Sequence, residues 1–217
     1  MVVGGFFTTR NRDTGDPNSV PTPTATASSS ATADASASPT VNAKQFAKAE
    51  QVIDATTKDY TATFKTSKGD FEIKLYADKA PNTVNSFVFL AQKGYFDGLT
   101  FHRVVAGFVI QTGDPTGRGS GGPGYSTAEE PNEIANKRGV ISMAKAGDAK
   151  EFGSQFFINL KDNPSLDYTN PGTKYYPFAE VTSGMDVVDA ISKVRVSGDK
   201  PVEPVTIQSV TVTEKAK

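Results

Sequence analysis

Two runs of this sequence set long polar side chains among large apolar ones. Residues 101–111 read Phe-His-Arg-Val-Val-Ala-Gly-Phe-Val-Ile-Gln, and residues 153–158 read Gly-Ser-Gln-Phe-Phe-Ile. Arg103, Gln111 and Gln155 are costly to bury in a half-apolar strand surface unless something pairs with them. A binding face accounts for them better than a core does. That face would be an apolar pocket with a guanidinium at its rim and amides beside it. Such equipment can stabilise a twisted amide. Rotation about a peptide bond is slow because it destroys amide resonance, a barrier of about 18–20 kcal/mol. In the twisted form the amide nitrogen regains its lone pair, and a guanidinium, always charged and with its donors in a rigid fork, can donate to it. Neither a nucleophile nor a proton relay is needed.

Other chemistries find little support. The chain has no cysteine, which excludes disulfides, thiolate catalysis and thiolate metal sites. It has one histidine, His102, which excludes a multi-histidine metal site, and no Asp/Glu cluster has metal-like spacing, so no metal and no cofactor are expected. Gly117, Gly119 and Gly122 satisfy G-x-G-x-x-G, but Pro123, Gly124 and Tyr125 follow where a nucleotide-binding helix would have to begin. His102, Ser154 and Asp114 could be imagined as a hydrolase triad, yet no G-x-S-x-G elbow frames Ser154, and Arg103 beside the histidine discourages it from acting as a base. His102 reads instead as a histidine satisfied inside the wall of the fold. The formal net charge of −1 gives no whole-chain attraction to nucleic acid or to an anionic membrane.

The elements that would hold these residues begin after a compositional boundary. Of the 24 residues 17–40, 21 are Ser, Thr, Ala or Pro, and Asp34 alone is charged. Such a stretch has almost nothing to bury, so residues 1–45 are expected to be a disordered tail or linker. Met1–Phe7 is apolar but too short for a signal-peptide core. It reads either as the stub of a longer membrane anchor or as an unstructured start. Residues 46–57 are expected to be a short helix or connector, the helical pattern covering residues 42–54.

From residue 58 a domain is expected to run to residue 217. Tyr60, Ala62 and Phe64, then Phe71, Ile73 and Leu75, alternate with polar residues around the turn Ser67-Lys68-Gly69-Asp70, which predicts a hairpin. Pro81 opens a helix with Val84, Phe87, Val88 and Ala91 on one face, and Gly94 closes it. A second helix is predicted over Met185–Val194, with Ser183 as its N-cap. The apolar face of the last strand switches between Ile207 and Val210, which predicts a bulge. Many short strands and two helices predict a mainly β fold, a closed antiparallel barrel capped by helices.

These residues also carry a resemblance. The run Phe101 to Asp114 resembles the signature of cyclophilin-type peptidyl-prolyl isomerases. Gly139-Val140-Ile141-Ser142-Met143-Ala144, Gly153-Ser154-Gln155-Phe156-Phe157-Ile158 and Tyr76-Ala77-Asp78-Lys79-Ala80-Pro81 resemble three further family motifs, over roughly residues 58–214. The similarity to bacterial members is strongest around Asp114–Gly122. The resemblance implies an eight-stranded barrel with two helices and a groove on its outer face. By position it implies Arg103, Gln111 and Phe157 as catalytic residues. Phe108, Val109, Leu166 and Tyr175 would complete the proline pocket. Ala144, Lys145 and Ala146 would supply groove backbone, with Gln155 beside them. Lys145 stands where the family often has Asn, and Ser165 where an aromatic is frequent. The stretch Tyr168–Lys174 is longer than usual.

The activity implied is acceleration of Xaa-Pro rotation and assistance to folding, on proline-containing peptides or unfolded chains, by a monomer. The alternative is a non-catalytic proline-peptide-binding, chaperone or scaffold module. The Ser/Thr/Ala/Pro spacer leans toward an extracytoplasmic or membrane-tethered domain, with a cytoplasmic one as the alternative.

Overall fold

The structure, a computed structural model, describes residues 44–217. The tail expected over residues 1–45 therefore lies outside the described residues, its last two positions excepted. In chain order the strands are β1 (Lys58–Thr66), β2 (Gly69–Leu75), β3 (Arg103–Val105), β4 (Val109–Thr112), β5 (Thr127–Ala128), β6 (Val140–Met143), β7 (Glu151–Phe152), β8 (Phe156–Asn159), β9 (Pro177–Ser183), β10 (Val196–Ser197), β11 (Lys200–Pro201) and β12 (Ile207–Ala216). The helices are α1 (Pro81–Gln92) and α2 (Met185–Ser192).

Period-two alternation decides which side chains meet. β1 buries Tyr60, Ala62 and Phe64, and β2 buries Phe71, Ile73 and Leu75. A two-residue turn joins the two strands, and Phe64 lies opposite Phe71 with the rings stacked 4.7 Å apart. The main sheet has eight strands in the order β12-β1-β2-β9-β6-β8-β4-β3. Its inner face carries an aromatic core. Phe156 of β8 lies within 6.2 Å, centroid to centroid, of Phe64, Phe87, Phe96 and Phe178.

The barrel is not closed, contrary to the sequence expectation: the sheet curls into a half-barrel whose end strands, β3 and β12, do not pair. The seam holds a single bridge, Thr100 to Thr206, with the Gly98 N–H donating to Ile207 O at 2.8 Å and the Phe101 N–H to Val205 O at 3.0 Å. Pro204, two residues before that bridge, has no N–H with which to prolong a ladder there. The predicted bulge is present, since β12 shifts register against β1 between Lys65 and Thr66 and leaves Gln208 unpaired.

α1 follows its predicted stripe, with Pro81 in its first turn and Val84, Phe87, Val88 and Ala91 buried. Its free N-terminal amides are satisfied from a distance. Glu130 accepts from the N–H groups of Asn82 at 3.0 Å and Thr83 at 2.8 Å. α2 differs from expectation: Gly184, not Ser183, occupies the N-cap at φ +76°, and the helix ends at Ser192. A Cβ at Gly184 would lie 2.5 Å from Asp70 O, so the close approach of helix and hairpin selects glycine there.

The short helix expected before the domain is absent from its described part. Residues 45–54 contain no helix, because tertiary partners take their backbone groups. The Phe46 N–H donates to Pro123 O at 2.7 Å. The buried Asn85 of α1 accepts from Val52 N at 2.8 Å and donates to Glu50 O at 2.9 Å. Phe46 then packs edge-on against Phe89 at 5.3 Å.

Candidate active site

Strand register assembles the site. Arg103 of β3 lies opposite Gln111 of β4, and Gln111 lies opposite Phe157 of β8. The three side chains therefore form one row across three strands on the outer face. The neighbouring row, Val104, Ile110, Ile158 and Ile141, is buried in the core. Alternation alone separates Phe156, in the core, from Phe157, in the site.

The row opens into a notch of about 240 Å³. Phe108, Val109, Phe157, Leu166 and Tyr175 form its apolar walls, Arg103 and Gln111 its polar side, and Ala144 and Lys145 its far edge. The volume falls below the roughly 300 Å³ at which drug-sized pockets begin, and suits one small ring. Ala146 and Gln155 stand one step away, in a neighbouring cleft of about 1040 Å³ that shares Gln111, Ala144 and Lys145 with the notch. All eleven residues expected to form the site are thus gathered around one groove.

A buried amide network sets the notch walls. Asn136 donates to Leu166 O at 3.1 Å and Tyr175 O at 2.9 Å. Asn163 donates to Phe108 O at 3.2 Å and to Asn159 Oδ1 at 2.8 Å, and Asn159 donates to Asn136 Oδ1 at 3.2 Å. Three wall residues therefore hang by their carbonyls from one polar cluster. The longer stretch after Leu166 leaves the walls in place, because the Tyr175 N–H donates to Leu166 O at 3.0 Å and closes the loop at its neck. Tyr175 meets Phe157 edge-on at 5.4 Å.

On the polar side, Arg103 Nε donates to Asp199 at 3.1 Å. Among the described residues this is the guanidinium's one protein partner, so its two terminal NH₂ groups stay available at the rim. Gln111 donates to Gln155 Oε1 at 3.0 Å, and Gln155 donates to Gly121 O at 2.9 Å. That chain leaves Gln111 Oε1 free to face the notch. The turn after Gln111 permits no side chain at Gly113: a Cβ there, φ +87°, would sit 2.2 Å from Ser154 O. Lys145 is buried, paired with Glu129 and 5.7 Å from the Tyr175 ring. Burial opposes the Glu129 charge, but Lys145 and Lys150 prevail and hold its carboxyl below the usual range.

The imagined triad does not form. Ser154 is hydrogen-bonded to Tyr95 and to Gly113 O, each at 2.7 Å, and not to His102. The loop over Gly117–Gly122 is followed by no helix. His102 is buried as expected but not satisfied: neither ring nitrogen has a partner among the described residues. Burial, aided by the charges of Arg103 and Lys200 and opposed by Asp114, pushes its pKa down. The folded protein then binds fewer protons than the unfolded chain, whose histidine titrates near 6.5. Stability is therefore full above that pH and declines as pH falls through it. Urea unfolding from pH 7.5 to 5 should show this decline in the native protein and a flatter profile in His102→Gln. Equal slopes would assign the decline to other groups.

Sequence reasoning missed Asp199, Glu129, the asparagine network and Gln45, which reaches the larger cleft from the connector and donates to Gly122 O at 2.8 Å. Each acts across a long separation and carries no local pattern.

The arrangement has known counterparts. The family model for cyclophilin type peptidyl-prolyl cis-trans isomerases matches residues 61–212. A probable peptidyl-prolyl cis-trans isomerase A of Mycobacterium leprae is 40% identical over 187 residues, covering 77% of this chain and 100% of the relative. The mouse peptidylprolyl isomerase domain and WD repeat-containing protein 1 is 43% identical over 159 residues, covering 70% of this chain and 24% of that protein. A crystal structure of a Cryptosporidium parvum cyclophilin type peptidyl-prolyl cis-trans isomerase superposes with a TM-score of 0.66 at 28% identity, over 71% of this chain and 98% of that one. The same protein in the presence of the dipeptide Ala-Pro gives 0.65 at 29% identity, over 70% and 98%. Since the family match spans the sheet, both helices and the notch, and the mycobacterial relative aligns over its whole length, the chain belongs to the cyclophilin-type peptidyl-prolyl cis-trans isomerases.

Proposed function

We propose that the peptidyl-prolyl isomerase activity of this chain resides in the notch, with Arg103 as the group that stabilises the twisted amide. The observation that carries this reading is the position of its guanidinium, at the rim of a ring-sized apolar cavity with Nε engaged and both NH₂ groups free. Phe108, Val109, Phe157, Leu166 and Tyr175 would grip the pyrrolidine ring and exclude water. Arg103 would donate to the nitrogen lone pair as it emerges on rotation and interact little with the planar ground state, so it favours the transition state selectively. Gln111 Oε1 would steady the rotating side, while Ala144, Lys145 and Ala146 present backbone to the chain and Gln155 fixes Gln111.

Proline-containing peptides are the substrates in this reading, which we extend to unfolded chains whose folding a monomer would assist. Residues 17–40 would act as the spacer of a domain held outside the cytoplasmic membrane, a placement supported by their composition and testable by cell fractionation. Nothing in the proposed step titrates near neutrality. With a short Xaa-Pro peptide, turnover should be readily measured and its rate flat between pH 6 and 8. Binding without turnover would leave only a binding module, and a pKa near 7 in the rate would overturn the mechanism.

A further inference from the structure

Beside the notch lies a second cleft, of about 550 Å³, that shares Arg103 and Gln111 with it. One wall is the loop through Gly117, Arg118 and Gly119, the other is the β10–β11 hairpin, and His102 lies beneath. Three cations, Arg103, Arg118 and Lys200, border this space against one carboxylate, Asp199. Asp199 is already spent on Arg103, and its own carbonyl accepts from the Val104 N–H at 2.7 Å, which fixes the hairpin tip against β3. Arg118 and Lys200 are exposed and form no ion pair among the described residues.

Asp114, at the base of the loop wall, is turned inward. Asp114 is 1% exposed, and its carboxylate accepts from Thr116 N at 2.7 Å, Thr116 Oγ1 at 2.8 Å, Arg118 N at 3.1 Å and Gly119 N at 2.5 Å. The loop amides hold that carboxylate away from the opening, and Arg103, Arg118 and Lys200 outnumber it and Asp199, which leaves the cleft net positive. His102 supplies an independent sign. It is 8% exposed, and its Nε2 lies 4.0 Å from the place a Cβ on Gly119 would take. A buried imidazole with neither nitrogen partnered is uncommon in a folded protein. The polar edge that lacks an acceptor therefore faces the same loop wall along which the cations gather.

We propose that this cleft is an anion-selecting subsite for the substrate chain. It would take a carboxylate or phosphate side chain within three residues of the isomerised proline. The reach follows from geometry: the cleft begins at Arg103 and Gln111, which also border the notch, and an extended chain advances about 3.3 Å per residue. The assignment of the proline to the notch is assumed here; the anion preference is the addition.

The test is a set of peptides with one Xaa-Pro bond and Gln, Glu, Lys or phosphoserine at each of three positions on either side. At low salt, Glu at one or more of these positions should raise kcat/KM about three- to five-fold over Gln, and Lys should lower it. The gain should shrink in 0.5 M salt, where exposed charges are screened. Arg118→Gln combined with Lys200→Gln should abolish the preference while turning over the Gln peptide within two-fold of the native rate. A gain from phosphoserine alone would assign the site to phosphate, and a gain from both to anions in general.

An absent preference, or one that survives the double substitution, would overturn the subsite while turnover of the Gln peptide upheld the notch. Fluorescence anisotropy with labelled peptides makes the same comparison without catalysis. Selective binding of the acidic peptides by a protein that turns over none of them would support the subsite and overturn the notch mechanism.

Discussion

Arg103→Ala should lower kcat/KM for a short Xaa-Pro peptide about a hundred- to a thousand-fold, the usual effect of deleting one preorganised donor to developing charge. Stability should barely change. The side chain is 38% exposed and bonds to a single partner, Asp199, itself 55% exposed. Exposed pairs of this kind contribute about 0–1 kcal/mol. Arg103→Lys separates charge from geometry. A lysine keeps the cation but has no Nε to engage Asp199 while two further donors point at the notch, so it should recover only a small part of the rate. Protease-coupled or NMR exchange measurements of isomerisation, paired with urea melts, decide the matter. Near-native turnover in Arg103→Ala with an intact fold would refute the role given to this residue.

The second large effect concerns stability and sets apart two adjacent phenylalanines. Phe156→Ala should cost about 3–5 kcal/mol, a major part of the roughly 5–15 kcal/mol that holds a domain together. Its ring is 1% exposed and is surrounded by four other phenylalanine rings, so truncation leaves a cavity that the curled sheet cannot collapse to fill. Phe157→Ala should cost less, since that ring borders the notch and rests on Tyr175. Its main effect should be on the enzyme, with KM for proline peptides raised about ten-fold. Urea midpoints and KM values for the two variants give the comparison. A larger stability loss in Phe157→Ala, or a larger KM effect in folded Phe156→Ala, would contradict the assignment of faces.

Local chemistry left clear marks in the sequence. The alternation in β1 and β2, the stripe of α1 and the bulge near Gln208 follow from periods of two and 3.6, which depend on neighbours a few residues away. The notch residues were legible for a related reason. Arg103, Gln111 and Phe157 are polar or aromatic side chains at outward-facing positions of their strands, and the family motifs that contain them are contiguous.

Longer-range facts were decided by the folded chain. That Arg103, Gln111 and Phe157 share one row depends on the register of β3 against β4 and of β4 against β8. Whether the barrel closes depends on two distant edges, β3 and β12, near which one bridge, Thr100 to Thr206, forms. Residues 45–54 lost their predicted helix because Asn85 and Pro123, dozens of residues away, took their backbone hydrogen bonds. Asp199 reaches Arg103 across 96 positions. The sequence by itself determined which side chains face outward and which chemistry they could do. Only tertiary structure decided which of them stand together, because strand register, carboxylate pairing and buried amide networks join groups whose types are ordinary and whose separation along the chain hides the bond.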